Sequence, residues 1–377
     1  MTTFWQMGWL LAVLLLGAQP SSPAVGAQTE APEFQVSIWA TYAGALEQQT
    51  LAANAGTIDE VNFAWYTLEA DGEITGSIQS VQAVEAARRA GLRIVPSIAN
   101  AGFDRGVVLA AIGGAADRTR HVQELAQLVE DNGFDGLDID YENLLAEDRE
   151  VFTLFVEELA AALHANGRIL SIAVHAKTSD AGDWGGPAAQ DWARLGAAVD
   201  EFKIMTYDYH WSTSEAGPIA PLDWVDDVLT YAATVVPPEK TWAGVHFYGY
   251  DWIGSAAESL EWRQVVKRAT QQEAIIGRDV PGEAWFSYGS GSRSARHTVY
   301  FTDAQALAER LASVGERHPS IAGIANWRLG GEDPGNWEVI EQFTARLLQT
   351  AAKAARTTVP PRRCGDDNKP DAPCPAL

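Results

Sequence analysis

The stretch Asp135-Gly-Leu-Asp138-Ile-Asp140-Tyr-Glu142-Asn places three acids at alternate positions of a predicted β-strand. Because strand side chains alternate between two faces, Asp138, Asp140 and Glu142 share one face, and the intervening apolar residues lie on the other. Three carboxylates in one small volume disfavour each other's ionisation. One acid can then stay protonated beside charged neighbours, which serves proton-transfer chemistry rather than folding. Asp135 is equally well explained as a turn or capping residue.

Apolar runs alternate with helical patterns on both sides of this strand. The eight predicted strands are Phe34–Ala40, Glu60–Trp65, Leu92–Ile98, Gly136–Tyr141, Ile169–Val174, Glu201–Tyr207, Thr241–Tyr248 and Ile321–Trp327. Such runs are typical of parallel strands buried on both faces, and the alternation predicts an α/β protein with a (β/α)8 TIM barrel. A doubly wound sheet is the alternative, but it would need a Gly-rich phosphate turn after an early strand, which the sequence lacks.

The connection after the seventh strand is much longer than a barrel loop. It contains a helical pattern over Glu258–Ala274 and a predicted hairpin formed by Ala284–Tyr288 and Thr298–Phe301. We therefore predict a small α+β insertion at about residues 253–302, at the mouth of the barrel where substrates bind.

The composition indicates a globular protein with a large core, and the length allows one large domain or two ordinary ones. The chain has 377 residues, of which 47% are hydrophobic, and a formal net charge of −23. We assign residues 34–350 to a single barrel and expect a monomer. An acidic surface repels phosphate backbones, so we expect no nucleic-acid partner. The charge favours a neutral or cationic partner, or serves solubility alone.

The first residues predict export. An apolar run from Trp9 to Ala18 is followed by Ala24-Val-Gly-Ala27, whose small residues suit a signal-peptidase site. We expect a signal peptide over residues 1–27, a secreted or extracytoplasmic protein, and no stable membrane insertion, because the run is too short to span a bilayer. No Lys or Arg precedes the run, so an uncleaved anchor is the alternative.

The tail over residues 356–377 is Pro-rich and polar, and we expect it to be flexible. It carries both cysteines of the chain, Cys364 and Cys374. In an exported protein such a pair could form a disulfide that closes a small loop. A two-cysteine metal site is the weaker alternative, since no His accompanies them.

The candidate site lies at the carboxyl ends of the predicted strands, where such barrels carry their active sites. Besides Glu142, this edge receives polar and aromatic residues from several strands: Trp39, Asn100, Met205, Tyr207, Asp208, Tyr248 and Trp327. Acids surrounded by aromatic rings suit a sugar, whose C–H faces stack on rings and whose hydroxyl and amide groups need polar partners.

A metal site is the other chemistry that this edge could hold. His175, His210 and His246 follow or end strands five, six and seven, near Asp138 and Asp140. Barrel hydrolases can build metal sites from such residues. No His-x-His pair occurs at strand one, however, and we predict neither a metal nor another cofactor.

These motifs together resemble glycoside hydrolase family 18, the chitinase-like family. The resemblance rests on Asp135-Gly-x-Asp138-x-Asp140-x-Glu142, on Met205-Thr-Tyr207-Asp208 and on Trp327. Further details, such as Trp327-Arg-Leu-Gly-Gly-Glu-Asp, resemble the spore-cortex-lytic, peptidoglycan-type N-acetylglucosaminidases and the lectin-like chitinase-domain proteins. Ser97-Ile-Ala-Asn100 stands where chitinases typically carry Ser-x-Gly-Gly, so a processive chitin groove is not expected.

The resemblance implies a substrate-assisted, retaining hydrolysis of N-acetylglucosaminyl linkages in peptidoglycan or chitin-like glycans. Glu142 is then the general acid/base and Asp140 orients the substrate acetamide. Asp138 shares a proton or hydrogen bond with Asp140, Tyr207 binds the acetamide carbonyl, and Trp327 forms the floor under the sugar. The other edge residues named above, Trp39, Asn100, Met205, Asp208 and Tyr248, are expected to bind substrate. A non-hydrolytic, lectin-like protein on the same barrel is the alternative, which the presence of Glu142 disfavours.

Overall fold

The structure is a computed structural model, and it describes residues 34–42, 44–289 and 296–358. The predicted signal peptide and the tail with Cys364 and Cys374 lie outside the described residues. No helix within the described ranges is both long and apolar enough to cross a membrane.

Fourteen strands form two sheets in the described part of the chain. They are β1 Gln35–Ala40, β2 Glu60–Leu68, β3 Ile74–Gly76, β4 Arg93–Ile94, β5 Ser97–Asn100, β6 Gly136–Asp140, β7 Ile169–His175, β8 Glu201–Met205, β9 Thr241–His246, β10 Tyr248–Ile253, β11 Ala256–Glu261, β12 Ala284–Gly289, β13 Arg296–Phe301 and β14 Gly323–Trp327. The first sheet runs in the order β1-β14-β9-β8-β7-β6-β5-β2, and pairing of β1 with β2 closes it. All of these barrel pairings are parallel, so the predicted (β/α)8 TIM barrel is confirmed.

The helices follow the barrel strands as predicted. They are α1 Ala45–Ala53, α2 Val81–Ala90, α3 Arg105–Ile112, α4 Ala115–Asn132, α5 Arg149–His164, α6 Gly185–Ala188, α7 Trp192–Ala198, α8 Leu222–Val235, α9 Trp262–Gln271, α10 Ala304–Arg317 and α11 Gly335–Thr358, with 3₁₀ turns at Ala101–Phe103, Ala146–Asp148 and Pro238–Lys240. Local sequence sets several of their ends: the Ser80 hydroxyl caps α2, which ends at Gly91 in the left-handed conformation.

The third barrel strand is interrupted, although the sequence predicted one strand over Leu92–Ile98. Pro96 lies between β4 and β5 and has no N–H to donate to a strand ladder. Its carbonyl still accepts the backbone N–H of Asp138 at 2.9 Å. Pairing with β6 is therefore kept through the carbonyl group of the proline.

The lower interior of the barrel holds a buried ionic network that the sequence analysis did not predict. Lys203 is fully buried, and its Nζ contacts Oε1 of Glu60 and lies 3.0 Å from Oε2 of Glu201. Arg93 bridges the same two acids at 3.1 and 2.8 Å. Burial disfavours the charge of Lys203, but the two carboxylates raise its pKa, whereas burial and the charge of Glu60 raise the pKa of Glu201 to about 8. Each buried charge here has an opposite partner, as the low-dielectric interior requires.

The insertion after the seventh strand is a four-stranded antiparallel sheet with one helix, in the order β11-β10-β13-β12. The predicted hairpin is confirmed as β12 and β13. The helix predicted from Glu258 is wrong at its start, because residues 258–261 pair with β10 and the helix begins at Trp262. The seventh barrel strand also ends at His246, earlier than predicted, and Tyr248 opens the insertion sheet.

One buried carboxylate ties the insertion together. Asp251 in β10 is 3% exposed, and it accepts hydrogen bonds from Tyr288 at 2.5 Å and from Nδ1 of His297 at 2.7 Å. Arg268 in α9 forms an ion pair with the same carboxylate. The strands and helix of the insertion thus share one charged hydrogen-bond centre.

Candidate active site

Asp138 is fully buried and surrounded by hydrogen-bond donors. The parallel register places Ser97 of β5 and Ser171 of β7 directly beside it. Ser171 donates to Oδ1 at 2.6 Å, the indole N–H of Trp39 donates to Oδ2 at 2.9 Å, and Ser97 also donates to Oδ2. Both oxygens of Asp138 are therefore occupied, and the described residues contain no hydrogen bond between Asp138 and Asp140, unlike the contact that the sequence analysis predicted.

Asp140 has the opposite environment. Its register partner in β5 is Ala99, which has no side-chain donor. Its Oδ1 is buried and has no hydrogen-bond partner among the residues that the structure describes. Burial, together with the charges of Glu142 and Asp138, raises the pKa of Asp140 well above its usual value. This environment thus disfavours the ionised form of Asp140.

Glu142 lies just beyond β6, and its backbone is fixed by Asn100. Its N–H donates to Oδ1 of Asn100 at 2.9 Å, and Nδ2 of Asn100 lies 3.3 Å from its carbonyl oxygen. The carboxyl side chain is 22% exposed. Burial and the charge of Asp208 raise the pKa of Glu142 to about 7. A carboxyl group with this pKa can both donate and accept a proton near neutral pH.

His175 ends β7 beside Glu142. Its Nε2 lies 3.8 Å from Oε2 of Glu142, and its ring packs against Trp184 at a centroid distance of 4.6 Å. Burial lowers the pKa of His175 to about 4, so the imidazole is neutral at neutral pH. The sequence analysis considered His175 as a metal ligand and missed this contact, which follows from the register of β6 and β7.

Tyr207, Asp208 and Tyr248 form a second polar group at the mouth. The hydroxyl of Tyr248 donates to Oδ1 of Asp208, and Tyr250 lies 3.4 Å from Oδ2. The ring of Tyr207 meets that of Tyr248 edge to face at 6.3 Å. Burial and the surrounding acids raise the pKa of Tyr207 well above its usual value, so it presents a neutral hydroxyl group.

Of the remaining predicted substrate-binding residues, some are partly exposed and others are buried. Trp327 ends β14 and is partly exposed, and its ring centroid lies 6.0 Å from that of Trp39. Met205 ends β8 beside His175 and is also partly exposed. Trp39 is 2% exposed and Asn100 is 3% exposed. Their burial favours support of Asp138 and Glu142 over direct contact with a glycan.

The chain can now be compared with known proteins. Residues 36–332 match the sequence profile of Glycosyl hydrolases family 18. This chain belongs to glycosyl hydrolase family 18. It is therefore a glycosidase, as the resemblance of its strand motifs implied.

Several known proteins align with most of the chain. A Bacillus subtilis protein named as a sporulation-specific glycosylase, YdhD, is 28% identical over 88% of this chain and 82% of its own length. The cortical fragment-lytic enzyme of the same organism is 29% identical to this chain. That alignment covers 67% of this chain and 60% of the length of the relative. A chitinase from Chromobacterium violaceum is 26% identical in sequence to this chain. Its crystal structure superimposes with a TM-score of 0.76, over 83% of this chain and 99% of the chitinase chain.

Exposed aromatic residues on the loops of this family 18 barrel were missed by the sequence analysis. Trp184 is 50% exposed, Tyr209 is 46% and Trp211 is 49%. The loop carrying Trp211 is bound to the insertion, because Nε1 of Trp252 donates to its carbonyl at 3.1 Å. Loops have no periodicity from which exposure can be predicted, so only their proximity to strand ends could have indicated these residues.

The histidines considered as metal ligands lie in separate environments. Nδ1 of His210 donates to the carbonyl of Pro218 at 2.8 Å, and Nε2 of His246 lies 2.6 Å from the hydroxyl of Thr302. Over residues 34–42, 44–289 and 296–358, no group of three or more His, Cys, Asp and Glu side chains could hold a metal ion.

Proposed function

We propose that this protein is a secreted, retaining hydrolase of β-1,4 N-acetylglucosaminyl linkages in peptidoglycan or chitin-like glycans, with Glu142 as general acid and base. The observation that carries the proposal is the contrast between three acids on one strand edge. Both carboxylate oxygens of Asp138 accept hydrogen bonds, whereas Asp140 has a buried oxygen without a hydrogen-bond partner in the described part of the chain. Glu142 has a pKa of about 7.

The first step is transfer of a proton from Glu142 to the glycosidic oxygen as the bond from that oxygen to the anomeric carbon breaks. Asp140 is a poor nucleophile because burial and the neighbouring acids raise its pKa and so disfavour its carboxylate form. The nucleophile is instead the carbonyl oxygen of the substrate's own 2-acetamido group, which bonds to the anomeric carbon and gives an oxazolinium ion. The unpaired Oδ1 of Asp140 is free to accept the acetamide N–H.

The second step is attack of water on the anomeric carbon. Glu142, now a carboxylate, takes a proton from the water as the oxazolinium opens, and the acetamide is restored. Two displacements at one carbon retain the β configuration. The neutral hydroxyl of Tyr207 donates to the acetamide carbonyl oxygen, and the partly exposed Trp327 forms the floor under the reacting sugar.

The relatives support an N-acetylated glycan as the substrate. The names of two Bacillus relatives refer to sporulation and to cortical fragments, and the solved relative is a chitinase. A chitin-like glycan, which is neutral, also suits the negative net charge of −23. We propose that the protein acts as a monomer, outside the cytoplasm and without a cofactor.

The deciding experiment compares Glu142→Gln with Glu239→Gln, which removes the same charge from an exposed position. Hydrolysis of N-acetylglucosaminyl oligomers and of purified peptidoglycan should fall by about 10²–10⁴-fold in the first variant and remain unchanged in the second. Retained hydrolysis in Glu142→Gln would contradict the role of Glu142. A wild-type protein that binds these glycans without cleaving them would instead support the lectin-like alternative.

Analysis of the products tests the retained configuration, the need for the substrate acetamide and the cleaved linkage separately. Proton NMR during hydrolysis should show the β anomer first, because the configuration is retained. Deacetylated glucosaminyl oligomers should not be cleaved, because they lack the internal nucleophile. Mass analysis of reduced products from cell-wall glycan should show an N-acetylglucosamine reducing end. An α anomer or cleavage of the deacetylated oligomer would contradict substrate assistance while leaving the glycosidase intact.

A further inference from the structure

Each acid of the catalytic strand faces a different side chain of β7, because the two strands keep one parallel register. Asp138 pairs with Ser171 and Ile139 pairs with Ile172. Continuing this register along the inward face in steps of two places Ala173 beside Asp140 and His175 beside Glu142. The last inward position of β7 therefore presents an imidazole to the acid that donates the proton.

This imidazole is held in place with one nitrogen unused. The backbone N–H of His175 donates to Oε1 of Gln190 at 2.9 Å, and Trp184 packs on the ring. Its Nε2 is buried and has no hydrogen-bond partner within the described part of the chain. The 3.8 Å separation from Oε2 of Glu142 is longer than a hydrogen bond. A hydrogen bond between the two atoms requires a rotation of the Glu142 side chain, which is 22% exposed.

Only one tautomer of the neutral imidazole is compatible with the chemistry. A lone pair on Nε2 would accept a hydrogen bond from protonated Oε2 of Glu142 and hold that proton away from the glycosidic oxygen. A hydrogen on Nε2 is instead donated to Oε2, which leaves the proton of Glu142 on Oε1, facing the substrate. Once that proton has been transferred, the same N–H stabilises the new carboxylate.

We propose that His175 is a positioning residue for Glu142, whose Nε2–H binds Oε2, orients the carboxyl toward the glycosidic oxygen and stabilises the carboxylate formed in the first step. This inference rests on the proposed role of Glu142 as general acid. The proton moves from Oε1 of Glu142 to the glycosidic oxygen, and His175 keeps its own proton throughout.

The other titratable groups that face Glu142 act differently. The charge of Asp208 disfavours ionisation of Glu142, while ionised Glu142 raises the pKa of Asp140 and of Tyr207. His175 offsets this repulsion because it can donate a hydrogen bond to ionised Glu142. Loss of the imidazole should therefore make Glu142 harder to ionise, so the fall in kcat/KM at high pH should move upward.

Three substitutions at this position test the geometry. His175→Gln places an amide nitrogen near the position of Nε2, His175→Asn places one near the position of Nδ1, and His175→Phe provides no donor. In His175→Phe and His175→Asn we expect about a tenfold lower kcat and a shift of the basic limb of kcat/KM upward by about one pH unit. His175→Gln should stay close to wild type, and so should His164→Gln, which changes an exposed histidine of α5.

Three outcomes would overturn the proposal. The first is a wild-type pH profile in His175→Phe, and the second is an identical pH profile in His175→Gln and His175→Asn. The third is an equal upward shift in Trp184→Ala, which would mean that the imidazole serves only to support Trp184.

A titration without substrate keeps this test separate from the proposed function. In protein labelled with carboxyl-¹³C glutamate, the signal that disappears in Glu142→Gln reports the pKa of Glu142. It should titrate about one pH unit higher in His175→Phe than in wild type. If wild type cleaves no glycan, the proposed function fails, whereas an unshifted signal contradicts the role of His175 alone.

Discussion

The side-chain amide of Asn100 binds both backbone polar groups of Glu142, accepting from its N–H at 2.9 Å and donating to its carbonyl oxygen over 3.3 Å. The end of β5 thus fixes the chain immediately beyond β6, where the strand ladder no longer does. Asn100 is 3% exposed and also donates to the carbonyl of Asp104 at 3.0 Å. The position of Glu142, the proposed general acid, therefore depends on a neighbouring strand.

Substitution Asn100→Ala should lower kcat at least tenfold with little change in KM, because Glu142 loses its alignment rather than its carboxyl group. It should also lower the free energy of unfolding by about 1–3 kcal/mol, since buried backbone groups lose their partners. Steady-state kinetics and urea denaturation measure the two effects. Asn100→Asp is the matched variant: it keeps the acceptor for the Glu142 N–H but loses the donor and adds a charge. Unchanged kcat in both variants would show that the amide does not position the acid.

The pH dependence of hydrolysis should follow the ionisation of Glu142. The reaction needs its protonated form, so kcat/KM should be constant below pH 7 and fall as the pH rises through its pKa of about 7. Asp208→Asn removes a negative charge that disfavours ionisation, so the pKa of Glu142 and the basic limb should move down by about half to one pH unit. Asp227→Asn, an exposed change on α8, should leave the limb in place. An upward shift in Asp208→Asn would contradict the assigned electrostatics.

The ionic network below the site should dominate the stability of the barrel interior. Lys203→Met leaves Glu60 and Glu201 buried with Arg93 as their remaining cation. We expect the free energy of unfolding to fall by about 3–5 kcal/mol, as for other buried pairs that lose one partner. Urea denaturation would measure this, and Lys267→Met, at an exposed position on α9, should change it by less than about 0.5 kcal/mol. A loss no larger than in the control would mean that the two acids take up protons or solvent at little cost.

The local stability of the insertion should depend on Asp251 more than on any single apolar contact. Asp251→Ala leaves Arg268, His297 and Tyr288 without their shared acceptor. Hydrogen–deuterium exchange should show faster exchange across β10, β12 and β13, with the barrel strands unchanged. Glu258→Ala removes an exposed acid that also contacts Arg268 and serves as the control. Uniformly faster exchange in both sheets would show that the insertion is not a separate folding unit.

The barrel was predictable because its strands carry a strong local signal. Apolar runs indicated the eight barrel strands, and acids at alternate positions marked β6 among them. The positions of Tyr207 and Trp327 followed from the predicted strand ends. The helix start at Glu258 was mispredicted because Ala256–Glu261 is a strand with a single well-buried residue, Leu260, and no clear alternation.

The neighbours of each acid were not predictable from one sequence. Whether Ser171 meets Asp138 and His175 meets Glu142 depends on the register of two strands, which no local pattern encodes. The same holds for Lys203 and Glu60, which are distant in sequence and meet only inside the closed barrel. The sequence therefore predicted which residues are candidates for catalysis, and the structure shows which side chains surround each of them.

The unpaired oxygen of Asp140 has a consequence beyond the reaction. A buried acceptor without a donor destabilises the empty protein, and a ligand that brings an N–H group removes that cost. An N-acetylated glycan would then act as a stabilising ligand, raising the melting temperature further as its concentration exceeds its Kd. A glycan-bound molecule would resist proteolysis longer than a free one.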